Sequence, residues 1–142
     1  MSVEENKAIY RRFVEEVINQ GNLEPIDDLF SPDYVDHSLP PGAPPGRDAV
    51  RMIPSLFRGG FPDVHFSIER LVGEGDLVAS HVMGRGTHQG TFMGVPASGK
   101  QATWASLGIF RVVGGKIVEH WGVPDLAGLM RQIGGQPPPG AR

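Results

Sequence analysis

A pair of glycines between two alternating segments near the carboxyl end constrains the fold more than any other feature of the chain. Residues 101–113, QATWASLGIFRVV, and residues 116–121, KIVEHW, flank the dipeptide Gly114-Gly115. A two-residue turn of type I′ needs positive φ at both central positions, which glycine adopts without steric cost. The pattern therefore predicts an antiparallel β-hairpin with this turn at its tip.

The rest of the chain divides into a helical half followed by a half made of strands. Apolar residues recur at helical spacing in the first half, and they alternate with a period of two from residue 63 onward. This order favours an α+β fold, with helices packed on one face of a curved antiparallel sheet, over a parallel βαβ fold. The predicted helices cover residues 2–21, 23–30 and 48–57, and two further strands flank a turn at 73–76, the second covering 77–86.

Length and composition indicate a single domain over residues 1–134, followed by a Pro- and Gly-rich tail, residues 135–142, that we predict to be disordered. The chain has no cysteine, which excludes a disulfide framework and a thiolate metal site. Its net charge of −3, with 13 scattered Lys and Arg residues, provides no basic face for nucleic acid. No segment resembles a signal peptide or a membrane span, so we expect a cytoplasmic protein.

The glycine turn also determines which side chains share a face of the hairpin. Counting outward from the turn, Phe110 lies opposite Glu119 and Gly108 lies opposite Trp121. One face then combines large aromatic side chains with serine and glycine, which cannot pack densely and leave room for a ligand. We interpret this face as the concave side of the sheet and the wall of an apolar pocket. It carries Trp104, Ser106, Gly108, Phe110, Ile117, Glu119 and Trp121.

The opposite face of the hairpin is largely apolar as well. It carries Thr103, Ala105, Leu107, Ile109, Arg111, Val118 and His120. Apolar surface of this extent usually forms a contact with another protein surface. A second copy of the same sheet is the simplest cover, so we expect a homodimer through the convex face.

Asp125 is the first candidate for acid–base chemistry, and two interpretations of it stay open. It follows Pro124 and precedes a short helical segment, where an aspartate commonly serves as the helix N-cap and needs no other purpose. It also follows the last strand closely enough to lie at the pocket mouth beside Trp121. Apolar walls there would raise the pKa of its carboxyl toward the range useful for proton transfer. The two roles are compatible.

His37 and Glu119 each have a structural and a functional interpretation. His37 lies in the extended stretch VDHSLPPG, where it either forms structural hydrogen bonds or takes part in proton transfer and carbonyl polarisation. Glu119 lies on the predicted face of Trp121, where it could act in the pocket. The structural alternative is that it pairs with an arginine such as Arg85 or Arg111.

Strand 77–86 carries three further candidates for the pocket wall. Alternation along the strand places His81, Met83 and Arg85 on one face. If that face is concave, an imidazole, a thioether and a cation line the pocket. If it is convex, they are ordinary surface groups.

The sequence contains no motif for a metal, a nucleotide or a nucleophilic serine. Its five histidines lack the close spacing of a zinc site. The glycine-rich stretch GRGTHQG follows a strand but leads into a loop, whereas a phosphate-binding loop opens a helix. No GxSxG elbow is present. We therefore predict that the protein uses no metal and no cofactor.

Four stretches together resemble the SnoaL-like polyketide cyclase (ester cyclase) family, in the same order and over residues 5–134. They are YVDHSLPPGAPPG, FPDVHFSIERLVGEGD, GRGTHQGTFMGVPASGK and RVVGGKIVEHWGVPDLAGLMRQIG. The family belongs to the nuclear transport factor 2-like superfamily of α+β folds. The resemblance implies a cone-shaped, curved antiparallel sheet with N-terminal helices packed on its concave face.

The resemblance also implies a reaction, an intramolecular aldol condensation that closes a ring of a polyketide ester without a cofactor. The family's catalytic aspartate follows the last strand and matches Asp125 in HWGVPD, and we assign the family's pocket histidine to His37 in VDHS. Relatives commonly carry arginine where VASHVM has His81. The implied substrate is small, hydrophobic and polycyclic, in contact with Trp104, Trp121, Phe110, His81, Met83 and Arg85.

Two alternative functions use the same fold. A small epoxide or lactone hydrolase or isomerase would use Asp125 to activate water, and a second carboxylate beside it, such as Glu119, would favour this function. A non-catalytic module would bind a hydrophobic metabolite in the same pocket without turnover.

Overall fold

The computed structural model describes residues 2–39 and 42–134, so the predicted disordered tail, residues 135–142, lies outside the described part of the chain. Within that part, no helix has both the length and the apolar character needed to cross a bilayer. The elements are α1 (Val3–Arg12), continued by a π-helical segment (Phe13–Asn19), α2 (Ile26–Leu29), β1 (Phe30–Asp36), α3 (Arg47–Gly60), β2 (His65–Glu74), β3 (Leu77–Thr87), β4 (Gln101–Val113), β5 (Lys116–Pro124) and α4 (Leu126–Gln132).

The first helix begins at the predicted capping box. The Ser2 hydroxyl accepts a hydrogen bond from the Glu5 backbone N–H, and the Glu5 carboxylate accepts one from the Ser2 backbone N–H, each at 3.1 Å. Beyond residue 12 the helix widens into π-helical turns and continues to Asn19. Its buried apolar face packs toward the sheet and consists of Tyr10, Phe13, Val14, Val17 and Ile18.

Five strands form one sheet in the order β1-β5-β4-β3-β2. Neighbouring strands are antiparallel except β1, which runs parallel to β5 at the edge of the sheet. The sequence does not predict β1: residues 23–30 are predicted as a helix, and no strand is predicted before residue 63. Pro32 lowers the strand propensity of this segment, and an edge strand is the position in a sheet that tolerates proline.

The predicted hairpin is present, but its register changes partway along. The turn residues Gly114-Gly115 have φ angles of 59° and 82°, and Val113 lies opposite Lys116 as predicted. Farther from the turn, a β-bulge adds one residue, Val118, to β5. Because side chains alternate along a strand, one extra residue moves every later side chain of β5 to the opposite face.

The bulge corrects the predicted positions of two aromatic rings. His120 pairs with Phe110 and faces the helices, whereas Trp121 pairs with Ile109 and faces away from them. The prediction that Trp121 lies on the concave face is therefore wrong. The prediction for β4 is right, because Phe110 and Trp104 are both buried on the concave side.

Trp104 lies at the centre of the packing between the sheet and α3. Its ring stacks on Phe57 of α3, with ring centroids 5.8 Å apart, and meets Phe66 of β2 edge-on. Gly84 of β3 lies directly opposite Trp104 in the sheet. A Cβ atom at position 84 would lie 2.5 Å from the indole, so glycine makes room for the tryptophan.

We expect Gly84→Ala to lower the free energy of unfolding by about 1–3 kcal/mol, because the added methyl group overpacks against Trp104. Gly59→Ala in α3 is the matched control. Its new methyl group meets no atom within 4 Å, and alanine favours a helix, so this variant should be as stable as the wild type or slightly more stable. Urea unfolding measures both effects. A Gly84→Ala variant as stable as the wild type would contradict this packing.

Candidate active site

A mostly apolar cavity of about 180 Å³ lies between the concave face of the sheet and the helices α1 and α3. Its walls are aromatic and aliphatic, with a small number of polar side chains among them. Cavities of this composition are typical ligand sites, in which the few polar groups orient the ligand. The apolar lining includes Phe13, Val50, Phe57, Phe66, Trp104 and Phe110, and the polar side chains of the lining are Tyr10, Tyr34, Ser80, Ser106 and His120.

His120 provides the imidazole of the cavity wall. Its ring stacks on Phe110, with centroids 4.1 Å apart and planes inclined by 12°. Two glycines, Gly108 and Gly122, lie beside its Nε2 atom, and a Cβ atom at these positions would lie 3.1 and 2.6 Å from Nε2. The absence of side chains at both positions leaves room around this nitrogen.

The other ring nitrogen of His120 binds a buried carboxylate on β1. The parallel register of β1 and β5 sets Asp36 opposite His120, and Nδ1 lies 3.0 Å from Oδ2 of Asp36. The same oxygen accepts a hydrogen bond from the Tyr34 hydroxyl at 3.1 Å. Oδ1 accepts two more, from the backbone N–H and the hydroxyl of Ser38, at 2.8 and 2.5 Å. Four donors thus surround a carboxylate side chain that is only 6% exposed.

These donors keep Asp36 ionised. Burial alone would raise the pKa of Asp36, but the hydrogen bonds from His120 and Ser38 hold it well below its usual range. Burial also raises the pKa of Tyr34, and the neighbouring negative charge of Asp36 raises it further, so the phenol remains a hydrogen-bond donor.

The ionised Asp36 determines the tautomer of a neutral His120. Since a carboxylate accepts hydrogen bonds and cannot donate them, the proton of the neutral ring resides on Nδ1. The unprotonated Nε2 then lies beside the glycines of the cavity wall. An imidazole held in this way can accept a proton at Nε2 and return it later in the same reaction.

His37 lies on the opposite face of the sheet, so its predicted place in the pocket is wrong. Its Nε2 lies 2.7 Å from a carboxylate oxygen of Glu119, and its ring stacks on Trp121 at a centroid distance of 5.0 Å. Arg111 also donates to Glu119, at 3.2 Å, which confirms the predicted arginine partner. The physical reason is that consecutive side chains of an extended segment point to opposite faces of the sheet. Asp36 faces the cavity, so His37 faces away from it.

The β3 side chains predicted to bind substrate also face away from the cavity; they are His81, Met83 and Arg85. The buried side of β3 is formed instead by Val78, Ser80, Val82 and Gly84. The imidazole of His81 contacts Arg70 at 2.9 Å, and Arg85 lies 3.5 Å from the Ser67 hydroxyl. The prediction that the three side chains line the pocket is wrong. Side chains alternate along β3, and these three lie on the face that points away from the cavity.

Asp125 caps helix α4. Its Oδ1 accepts a hydrogen bond from the Gly128 backbone N–H at 2.9 Å, so the N-cap role predicted from the sequence is confirmed. The side chain is exposed, and it is Pro124 that reaches the cavity wall. The predicted position of Asp125 beside Trp121 at the pocket mouth is wrong, because the bulge in β5 reverses the faces of all later residues.

Two of the predicted binding residues, Trp104 and Phe110, line the cavity, and their contact with a substrate stays a prediction. The pair formed by Asp36 and His120 is not among the site residues predicted from the sequence. One signal could have indicated it: a carboxylate followed by a histidine occurs at 36–37 and again at 119–120. On two neighbouring strands, such dipeptides form one pair on each face of the sheet.

Comparison with known proteins places this chain in a family. The chain matches the SnoaL-like polyketide cyclase model over residues 8–133. It is 27% identical over 118 residues to the nogalonic acid methyl ester cyclase of Streptomyces nogalater, which covers 82% of this chain and 88% of the relative. It is 26% identical over 129 residues to the aklanonic acid methyl ester cyclase DnrD of Streptomyces peucetius, covering 89% and 88%. The structure of TsrD from Streptomyces laurentii matches with a TM-score of 0.85 and 25% identity, covering 94% of this chain and 98% of that one.

This protein belongs to the SnoaL-like polyketide cyclase family. The α+β fold with a curved sheet and packed helices, predicted from the resemblance, is confirmed. The protein is accordingly an enzyme of the SnoaL cyclase type.

We expect the hydrogen-bonded Asp36 to make the stability of the fold sensitive to acid. An aspartate in the unfolded chain has a pKa of about 3.9, and the pKa of Asp36 in the fold is lower. The contribution of Asp36 to the free energy of unfolding is therefore complete above about pH 4. It is lost as the pH falls from there toward the pKa of Asp36 in the folded state. Asp36→Asn should flatten the fall in the free energy of unfolding below about pH 4.

Urea unfolding at a series of pH values checks this expectation. Asp33→Asn, which changes an exposed carboxylate on the same strand, is the control and should retain the wild-type dependence. A wild-type dependence in Asp36→Asn would show that the buried carboxylate is not what acid disrupts.

Proposed function

We propose that this cyclase is a cytoplasmic, single-domain enzyme that closes a ring by cofactor-independent aldol condensation, with His120 and Asp36 as its acid–base pair. Nε2 of His120 takes a proton from a carbon flanked by carbonyl groups, and Asp36 stabilises the imidazolium that forms. The resulting carbanion attacks a ketone carbon of the same molecule. The imidazolium then returns its proton to the new alkoxide, which regenerates neutral His120.

The observation that carries this proposal is the hydrogen-bonded imidazole at the wall of an otherwise apolar cavity. An intramolecular condensation needs the substrate to be held in its folded conformation, and it needs one group that removes and returns a proton. The apolar walls suit the first task, and His120 with Asp36 suits the second. The cyclase activity in the names of the two Streptomyces relatives supports the same reaction class.

The volume of the cavity limits the proposed substrate. About 180 Å³ lies below the roughly 300–1,000 Å³ that is typical of sites for drug-sized ligands. We therefore propose a small hydrophobic polyketide ester whose reacting ring enters the cavity. A larger polycyclic substrate, as predicted from the resemblance, would enter only in part.

Two carboxylates together in the cavity would favour the hydrolase alternative. Glu119, the predicted second carboxylate, lies on the outer face and is bonded to His37 and Arg111. Asp125 is exposed at the start of α4. No observation on the described residues favours water activation by a carboxylate pair.

We expect His120→Gln to lower turnover about 100- to 10,000-fold, because general acid–base catalysis typically contributes that factor. Asp125→Asn is the comparison, since asparagine is also a good N-cap and the side chain is exposed. This variant should retain wild-type turnover. Ring closure of nogalonic and aklanonic acid methyl esters, followed by chromatography, measures both variants.

The two variants separate the structural proposal from the assignment made on sequence alone. Full activity of His120→Gln, or a loss in Asp125→Asn as large as that in His120→Gln, would contradict the proposed acid–base pair. If the wild-type protein closes neither ester, the proposed substrate class is wrong.

We also propose a homodimer through the outer face of the sheet. Leu107 lies opposite Val123 and Ile109 lies opposite Trp121, so the four side chains form one continuous patch. Their exposed fractions are 55%, 74%, 42% and 36%, in that order. A patch of this kind on a sheet face suits a self-complementary contact between two copies.

Light scattering tests the proposed dimer. The wild-type protein should have twice the mass of the chain, and Leu107→Arg should shift it to a monomer, because a charge would be buried without a partner. Met52→Arg is the control, since Met52 is exposed to the same extent, 55%, but lies on α3. A monomeric wild-type protein, or a dimer unaffected by Leu107→Arg, would contradict the interface.

A further inference from the structure

A second polar group faces His120 across the bare backbone of the cavity wall. Ser80 on β3 pairs with Gly108 on β4, and Gly108 pairs in turn with Gly122 on β5. Since His120 Nε2 lies beside both glycines, Ser80 and His120 flank the same strip of wall that carries no side chain. A planar group lying on this strip would contact the imidazole at one edge and the serine at the other.

Ser80 is an unusual choice for its position in the strand. It is buried, with 6% of its surface exposed, and its neighbours on the same face are Val78 and Val82. A hydroxyl in an apolar core destabilises the fold unless it forms hydrogen bonds. A third valine would be the simpler solution if the position served packing alone.

The Tyr10 phenol is a polar neighbour of Ser80 on the cavity wall. Burial raises the pKa of Tyr10 to about 12, and the Ser80 hydroxyl beside it offsets part of this rise. The phenol therefore remains protonated. The Tyr10 ring packs against Phe110 at a centroid distance of 4.7 Å, and Phe110 stacks on His120, so this aromatic cluster connects the surroundings of Ser80 with those of His120.

We infer that Ser80 donates a hydrogen bond to the substrate carbonyl oxygen that becomes negative when His120 removes the proton. This inference deepens the proposed function, on which its reaction rests. When the C–H bond breaks, the proton goes to Nε2 of His120 and the electron pair moves onto the carbonyl oxygen as an enolate. The enolate then forms the C–C bond, and the imidazolium protonates the new alkoxide.

The serine gains and loses no proton in these steps, so its contribution is purely electrostatic. A donor already aimed at the oxygen stabilises the enolate more than the neutral carbonyl, because charged hydrogen bonds are stronger than neutral ones. The apolar surroundings strengthen this difference. Ser106 also lines the cavity, but it lies opposite Pro124, two pairs farther along the sheet from the Gly108–Gly122 pair.

A pair of ligands with and without an anionic oxygen tests the inference without any turnover. The probes are 4-nitrophenolate, at a pH where the phenol is ionised, and 4-nitroanisole, which has nearly the same shape but no charge. Ser80→Ala should weaken binding of 4-nitrophenolate about 10- to 100-fold and leave 4-nitroanisole binding unchanged.

Titration calorimetry measures both ligands, and Ser55→Ala, an exposed serine of α3, is the matched control that should bind both as the wild type does. Equal losses for the two ligands in Ser80→Ala would overturn the inference, because they would indicate a packing role only. No loss for either ligand would overturn it as well. Since the readout is binding, a selective loss would support the serine's role even if His120→Gln retained turnover and the proposed acid–base pair failed.

Discussion

One added residue in β5 determines which chemical groups this protein presents to its cavity. The bulge at Val118 leaves the part of the hairpin near the turn in its simple register and reverses the faces of the remaining strand. His120 consequently lies beneath the helices and Trp121 lies outside. In an unbulged strand the indole would occupy the cavity and the imidazole would lie on the outer face. The proposed acid–base group therefore depends on the register of the sheet.

The same alternation produces two carboxylate–imidazole pairs on opposite faces of the sheet. Asp36 ends β1 and His37 follows it, whereas β5 carries Glu119 and His120. Each histidine contacts the acid of the other segment. The outer pair is exposed and adds little stability of its own. It does hold the end of an edge strand in place, together with a 2.9 Å hydrogen bond from the His37 backbone N–H to the His120 carbonyl. Asp36, the carboxylate on the cavity side, is thus held in position by contacts on both faces of the sheet.

Helices α1 and α3, the order of the elements and the inward face of β4 could all be predicted, because repeated apolar spacing reports directly on burial. The bulge could not be predicted, because one inserted residue leaves the turn and the alternation on either side of it intact. Strand β1 was missed because Pro32 and Asp33 interrupt apolar alternation where an edge strand needs little of it. Asp36 was missed with the strand. A polar side chain could be assigned to the cavity only on a strand whose inward-facing residues were predicted correctly.

The outward position of Asp125 shows why family resemblance predicted the cavity better than it predicted which polar side chains face it. A match to a family motif by spacing gives the position of a residue along the chain. The direction of its side chain depends instead on whether the preceding strand has an even or an odd number of residues, and the bulge changes that number by one. Asp125 then caps α4, while the concave face holds His120 with Asp36 behind it. A ring closure of this class needs an apolar enclosure and one basic atom. Under the proposed mechanism, the sheet and the helices packed on it form the enclosure, and β5 supplies the basic atom. The reaction class then does not require an acid at the start of α4.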